Sequence, residues 1–164
     1  MSDASSEKPL SNAERFLQER QFARRCALQY LYQADMRDDW GNIHRNLVLL
    51  KEQVRDVEED VPQGASFDRA WGYTECLVNG LIAARAHLDE LIGASATNWT
   101  MARMSMIDRN ILRLAAFELY HQSDVPEITA LDEGVELAKQ FGNADSSRFV
   151  NGVLDRLLKE HRRP

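Results

Sequence analysis

The stretch DSSRF, from Asp145 to Phe149, combines residue types that could bind a nucleic acid. Asp145 or Ser146 can cap the start of a helix, where free backbone N–H groups and the helix dipole favour a phosphate. Phe149 follows in the first turn, about 80° from the centre of that helix's apolar stripe, and could stack on an unpaired base. The alternative is an ordinary capped helix whose Phe149 completes the core, and the residues leave both interpretations open.

Arginines near the N-terminus are a second candidate for nucleic-acid binding. The net charge of the chain is −6, with 20 basic and 26 acidic side chains, and a uniformly acidic surface would repel nucleic acid. Four arginines against one acid nevertheless lie between Arg15 and Gln33, among them Arg20, Arg24 and Arg25. This segregation permits a local basic patch, although solvated helix faces would explain it equally well.

The helix that carries these arginines also has a face without an assigned partner. Helical spacing predicts a core stripe of Ala23, Cys26, Ala27, Tyr30, Leu31 and Ala34. If this stripe faces the core, the opposite face of the helix carries Arg24, Arg25, Leu28 and Tyr32. Leu28 and Tyr32, one turn apart, are either incidentally exposed or part of a surface that binds a partner protein.

The sequence has no motif that would support catalysis or metal binding. Glycine-rich phosphate-binding motifs, C-x-x-C and H-E-x-x-H are absent, and the histidines lie on different predicted elements. Glu118 falls within the apolar stripe of its helix, but no nucleophile or second carboxylate accompanies it. We therefore predict no enzyme, no metal and no cofactor, and a structural role for Glu118 as an acceptor for a helix start.

Helices must position these residues, because no segment alternates like a strand and glycine and proline are scarce. The spacing predicts an all-α fold with helices at about 12–36, 43–56, 66–92, 104–121 and 128–141 and a last one from 145 or 146. We expect Ser66 to cap the third helix, Asp124 or Thr129 to cap the fifth, and Gly142 to end the fifth in a left-handed conformation. Gly80, inside the third helix, predicts close approach of another helix.

Composition limits the compartment and the number of domains. No apolar run approaches the ~18 residues of a membrane span, and the N-terminus lacks the apolar region of a signal peptide. Cys26 and Cys76 lie far apart, which fits a reducing cytoplasm. The prediction is a flexible polar tail over residues 1–12 and one helical domain over residues 13–164.

Four stretches resemble the bacterial transcription antitermination factor NusB family, in order and in spacing. They read RRCALQYLYQ, NWTMARMSMIDRNILRLAAFELY, SDVPEITALDEGVELAKQFG and DSSRFVNGVLDRL. The resemblance implies a fold of two packed helical bundles, with about six to seven helices. It also implies binding to the boxA element of nascent ribosomal RNA, binding to the small-subunit ribosomal protein that doubles as NusE, and loading onto the RNA polymerase antitermination complex.

The resemblance assigns roles to particular residues. RNA binding would fall to Arg20, Arg24, Arg25, Asp145, Ser146 and Phe149, and partner binding to Tyr32 and Asp108, with Leu28 beside Tyr32. The chain departs from the family pattern at Leu131-Asp132-Glu133-Gly134, where I-N-E-A is usual. That change adds a charge and places a glycine in a helix, which affects local geometry. Some relatives form homodimers, and a homodimer is possible here.

The sequence leaves two other functions open. One is a helical adaptor that binds proteins and has little RNA affinity of its own, which the acidic net charge and the few arginines would favour. The other is a fragment of a ribosomal RNA cytosine methyltransferase, since similar domains precede the catalytic domain of some of those enzymes.

Overall fold

Six α-helices are present in the computed structural model, which describes residues 8–57 and 60–160. They are α1 (Asn12–Arg37), α2 (Ile43–Val57), α3 (Ala65–Ser95), α4 (Met106–His121), α5 (Glu127–Phe141) and α6 (Ser146–Glu160), with a 3-10 turn (Met101–Arg103) before α4. The described part of the chain contains no strand. The predicted all-α fold is therefore confirmed, whereas residues 1–7 of the predicted tail lie outside the described residues.

The helices pack as two groups that share an interface. Helices α1, α2 and α3 contact one another, as do α4, α5 and α6, and contacts of α3 with α4 and α6 and of α1 with α4 join the two groups. The predicted core stripe of α1 is buried at every position, and so is the stripe of α6, made of Val150, Val153, Leu154 and Leu157. None of the helices in the described residues is long and apolar enough to cross a membrane.

Gly80 lies at a tight contact between the two groups. A Cβ atom built on Gly80 would lie 2.3 Å from Cζ of Phe117, a distance that real Cβ atoms essentially never show. Helix α4 can therefore seat the Phe117 ring against α3 only because position 80 has no side chain. The prediction of close helix approach at Gly80 is confirmed.

Two of the predicted helix caps are wrong. Helix α3 begins one residue before Ser66, whose hydroxyl instead donates to Glu19 Oε1 at 2.8 Å. Helix α5 begins at Glu127 directly after Pro126 and has no side-chain cap, while Asp124 lies 3.6 Å from the Arg20 guanidinium. In both places a tertiary partner competes for the polar side chain, which local sequence does not reveal.

The end of α5 also differs from the prediction. Gly142 has φ −85° and ψ −176°, an extended conformation that any residue can adopt, so it is not a left-handed cap. Crowding is the reason for glycine here, because a Cβ at position 142 would lie 2.3 Å from Cβ of Ser146. The chain thus turns sharply from α5 into α6, and this turn leads directly to the predicted nucleic-acid site.

Candidate nucleic-acid interface

The start of α6 borders an open cleft of about 550 Å³, which we call the Phe149 cleft. Its wall is formed by the loop before α4, the first turn of α4 and the first turn of α6. The lining residues are Trp99, Arg103, Met104, Ser105, Asp108, Asn143, Asp145, Arg148 and Phe149. Two of the predicted RNA-binding residues, Asp145 and Phe149, therefore lie in one concave site.

Hydrogen bonds within the loop shape the start of α6. The Asn143 side-chain oxygen accepts the Asp145 N–H at 2.9 Å, and the Ser146 hydroxyl oxygen accepts the Asn143 N–H at 3.0 Å. The Phe149 N–H donates to the Asp145 carbonyl at 3.1 Å. Ser146 is thus buried, at 1% exposure, which removes it from the surface where RNA was predicted to bind. Asp145, in contrast, is exposed at the rim.

Two aromatic rings face the same cleft. Phe149 is half-buried at the margin of the core, as its helical position predicted. Its ring makes an edge-on contact with Trp99, with the centroids 6.3 Å apart, and Trp99 is 50% exposed. Trp99 was not among the residues predicted to bind RNA. One sequence feature could have indicated it: this tryptophan lies in the polar loop before α4, outside the apolar stripe of any helix.

The charges around the cleft are balanced. Arg103 and Arg148 contribute positive charge, and Asp108 and Asp145 contribute negative charge. Asp108 lies in the first turn of α4, where its N–H donates to the Ser105 hydroxyl at 3.0 Å. The cleft therefore places arginines beside aromatic rings, the two features that proteins combine to bind single-stranded nucleic acid.

Arg24 lies in the core, which corrects its predicted place on an outer face. It is 3% exposed, and its guanidinium donates to both oxygens of Glu118, at 2.8 and 2.9 Å. Tyr73 donates its hydroxyl to the same carboxylate. A buried guanidinium held in this way cannot reach a phosphate.

Glu118 is buried and holds other helices together. Its carboxylate accepts hydrogen bonds from the side chains of Arg24 on α1 and Tyr73 on α3. Burial, and then the neighbouring Glu118 carboxylate, raise the pKa of the Tyr73 hydroxyl well above its ordinary value. The cluster thus links three helices through charge-assisted hydrogen bonds.

The other two predicted arginines lie apart from the Phe149 cleft. The Arg20 guanidinium stacks 3.6 Å from the centroid of the Tyr73 ring and lies near Asp124. Arg25 is half-buried, 5.8 Å from the Phe22 ring centroid. The structure therefore does not bring Arg20, Arg24 and Arg25 together as one exposed basic patch.

A second depression lies on the other side of the α4 start, and we call it the Tyr32 groove. Its volume is about 270 Å³, and its lining residues are Arg25, Leu28, Gln29, Tyr32, Ile107 and Phe141. Tyr32 is half-buried, but Leu28 is only 4% exposed, so its predicted place opposite the core was wrong. Neighbouring residues of α4 thus face the two sites: Ile107 lines the groove, while Asp108 lines the cleft.

A network of charged side chains fixes the start of α4 between these sites. Arg109 donates to both oxygens of Asp35 on α1, at 2.5 and 2.6 Å, and Arg113 bridges Asp35 and Asp89. Burial alone would raise the pKa of the Asp35 carboxyl, but hydrogen bonds from Arg109 and Asn110 outweigh it and hold that pKa below its ordinary value. The start of α4, which lines both the cleft and the groove, is therefore tied to α1 and α3.

The departure at Leu131-Asp132-Glu133-Gly134 leaves α5 continuous. Asp132 is exposed, so its added charge is solvated. Gly134 is buried, and a Cβ there would lie 3.1 Å from both Ala115 Cβ and Leu154 Cδ1. The glycine thus lets α5 pack tightly between α4 and α6.

Comparison with known proteins gives a consistent set of relatives. The model of the NusB family matches residues 21–159. Transcription antitermination protein NusB of Geotalea uraniireducens is 38% identical over 138 residues, which cover 84% of this chain and 92% of the relative.

Solved structures agree with the sequence match. T. maritima NusB superposes with a TM-score of 0.67 at 30% identity, covering 87% of this chain and 92% of that one. A chain from a crystal structure of antitermination factors NusB and NusE in complex with dsRNA superposes with a TM-score of 0.72, covering 87% of this chain and 98% of that one. The latter is 24% identical, so it shows a common fold.

Proposed function

Because this chain belongs to the NusB family, we propose that it is a transcription antitermination factor that binds boxA RNA of nascent ribosomal RNA transcripts. It acts together with NusE and joins the RNA polymerase antitermination complex, where it suppresses termination. The protein contributes by binding and not by catalysis. Because it acts on nascent RNA, it would act in the cytoplasm.

The observation that carries the proposal is the Phe149 cleft. Two rings with exposed surface, Trp99 and Phe149, border one cleft with Arg103 and Arg148. Proteins that bind single-stranded nucleic acid combine aromatic platforms for bases with positive charge for the backbone. The overall charge of −6 opposes RNA, so affinity must come from this local arrangement and from a partner protein.

The Tyr32 groove supports the second part of the proposal. An apolar depression bordered by Tyr32 and by the exposed Phe141 suits a protein surface better than a phosphate backbone. NusE would contact this groove, and the neighbouring cleft would remain open for RNA. A homodimer that covers the groove would compete with NusE, and sedimentation velocity would detect it.

An adaptor with little RNA affinity of its own is the second candidate function. The acidic net charge and the burial of Arg24 favour it. Filter binding of boxA-like and scrambled RNA, with and without NusE, separates the two functions. An adaptor would show no boxA preference in either condition.

Phe149→Ala is expected to weaken boxA binding about tenfold, because one base loses its stacking surface. Its cost in folding free energy should stay below the ~3–5 kcal/mol of a fully buried phenylalanine, since Phe149 is only half-buried. Fluorescence anisotropy and urea unfolding measure the two effects. Phe141→Ala is the control, measured without NusE because Phe141 lines the Tyr32 groove, and it should leave RNA affinity unchanged. Equal RNA affinity of the wild type and Phe149→Ala would exclude the cleft as the RNA site.

Tyr32→Asp is expected to reduce NusE affinity at least about a hundredfold, because it places a charge in the apolar groove. Isothermal titration calorimetry with purified NusE measures the effect. Met36→Asp, an equivalent change at an exposed position of α1 outside the groove, should leave affinity within about twofold. Retained NusE binding by a folded Tyr32→Asp variant would contradict the groove as the partner site.

A further inference from the structure

Trp99 presents an aromatic surface that the core does not cover. It lies in the loop between α3 and the 3-10 turn, is 50% exposed, and lines the Phe149 cleft. A single exposed tryptophan needs no explanation. This ring, however, shares a concave site with Phe149 and with two exposed arginines, so its free surface belongs to the candidate RNA site.

Contacts from α6 hold the loop that carries Trp99. The Arg156 guanidinium donates to the Ser95 carbonyl oxygen at 3.3 Å and to the Thr97 hydroxyl at 2.9 Å. Arg156 and Phe149 belong to the same helix. The loop of Trp99 is therefore tied to the helix that carries Phe149, which gives the two rings a defined relative position.

The angle between the two rings decides how many bases they can hold. Their planes are inclined by 72°, and their centroids lie 6.3 Å apart. A base is flat and stacks with its plane parallel to that of an aromatic ring. One base therefore cannot stack on Trp99 and on Phe149 at once, and using both rings takes two bases.

We propose that the Phe149 cleft takes two consecutive unpaired nucleotides, with one base stacked on Phe149 and the next on Trp99. The inference rests on the proposed RNA-binding function and adds Trp99 as a second stacking residue. Because the rings are in contact, neighbouring nucleotides can reach both. Consecutive bases in a helical strand lie parallel, about 3.4 Å apart, whereas these two bases lie at a steep angle. The bound strand is therefore unstacked at this step.

Arginines beside the rings suit the phosphate of such a step. Arg103 lies in the 3-10 turn that follows Trp99, and Arg148 directly precedes Phe149 on α6. Both side chains are exposed, and neither forms an ion pair with another described residue. The phosphate that links the two nucleotides can therefore pair with either guanidinium.

The test is a scan of the full chain against boxA-like RNA probes that each lack one base. All probes keep the same backbone, and affinities are measured at one fixed salt concentration. For the wild type, removing either of two adjacent bases should weaken binding about tenfold, the loss of one stacked base. Phe149→Ala should erase this penalty at one of the two positions. Trp99→Ala should erase it at the neighbouring position.

Two further variants separate stacking by Trp99 from support of the Phe149 ring. Trp99→Leu keeps an apolar side chain against Phe149 but has no aromatic face, so it should behave like Trp99→Ala. Trp99→Tyr keeps a face and should bind every probe within about threefold of the wild type. Thermal midpoints establish that all variants are folded. If Trp99→Leu retains wild-type affinity, Trp99 only supports Phe149 and the inference is overturned.

Other outcomes separate this inference from the proposed function. If Phe149→Ala and Trp99→Ala erase the penalty at the same position, both rings serve one base. If Phe149→Ala erases a penalty and Trp99→Ala changes nothing, only Phe149 stacks. In both cases RNA binding in the cleft stands and the two-nucleotide site fails. If neither substitution changes any penalty or the RNA affinity, the cleft itself is excluded, and the proposed function loses its main support.

Discussion

Replacing Arg24 with alanine is expected to lower the free energy of unfolding by about 3–5 kcal/mol, because it leaves the buried Glu118 carboxylate without its cation. Arg24 is 3% exposed and supplies two hydrogen bonds to that carboxylate. Tyr73 would remain as a donor, but a neutral hydroxyl cannot replace a charge-assisted pair. Urea unfolding followed by circular dichroism measures the change.

Arg25→Ala is the matched control for this substitution. Arg25 is the next residue on the same helix, is half-buried, and contributes only a distant contact with the Phe22 ring. Its removal should cost less than about 1 kcal/mol. Arg24→Lys should fall between the two variants, since lysine keeps the charge but loses the two-pronged geometry. A cost at Arg24 no larger than that at Arg25 would show that the buried pair contributes little.

Gly80→Ala is expected to lower the free energy of unfolding by about 3 kcal/mol, the upper end of the range for overpacking a core. The new methyl group would lie 2.3 Å from Cζ of the buried Phe117 ring, so either the ring or the α3–α4 interface must move. Thermal and urea unfolding measure the loss.

Replacing Gly72 with alanine should instead raise the free energy of unfolding. Gly72 is exposed in the same helix, and a methyl group at this position would have nothing within 4 Å. Alanine there should stabilise the protein by about 0.4–1 kcal/mol, because it reduces the conformational entropy of the unfolded chain. Combining Gly80→Ala with Phe117→Leu should recover part of the loss. Equal effects at both glycines would contradict a steric role for position 80.

Regular periodicity made most helices predictable. The stripes of α1 and α6 and the close approach at Gly80 follow from local sequence, because side chains three and four residues apart share a helix face. The error at Arg24 and Leu28 has a physical cause. Helix α1 contacts α2, α3 and α4, so it is buried on more than one side, and a helical wheel with one core face misplaces the residues beside the stripe.

The candidate site was predictable only in part. Phe149 and Asp145 stand next to a recognisable helix start, so their position at a surface could be inferred from sequence. Trp99 and Asp108 belong to the same cleft only because the loop before α4 folds against α6. The cap of α3 was missed for a similar reason, since Ser66 bonds to Glu19, which lies 47 residues away. Such pairings depend on tertiary contacts and leave no local pattern.

The pairing of Arg24 with Glu118 also has a consequence for the order of events during synthesis. The two residues are 94 positions apart, so at ~5–20 residues per second the ribosome adds Glu118 roughly 5–20 seconds after Arg24. Until then, burying the Arg24 guanidinium would leave a charge without its partner, which is strongly unfavourable. Helix α1 therefore cannot complete its packing on the nascent chain before α4 has left the ribosome, and the N-terminal half must wait for the C-terminal half.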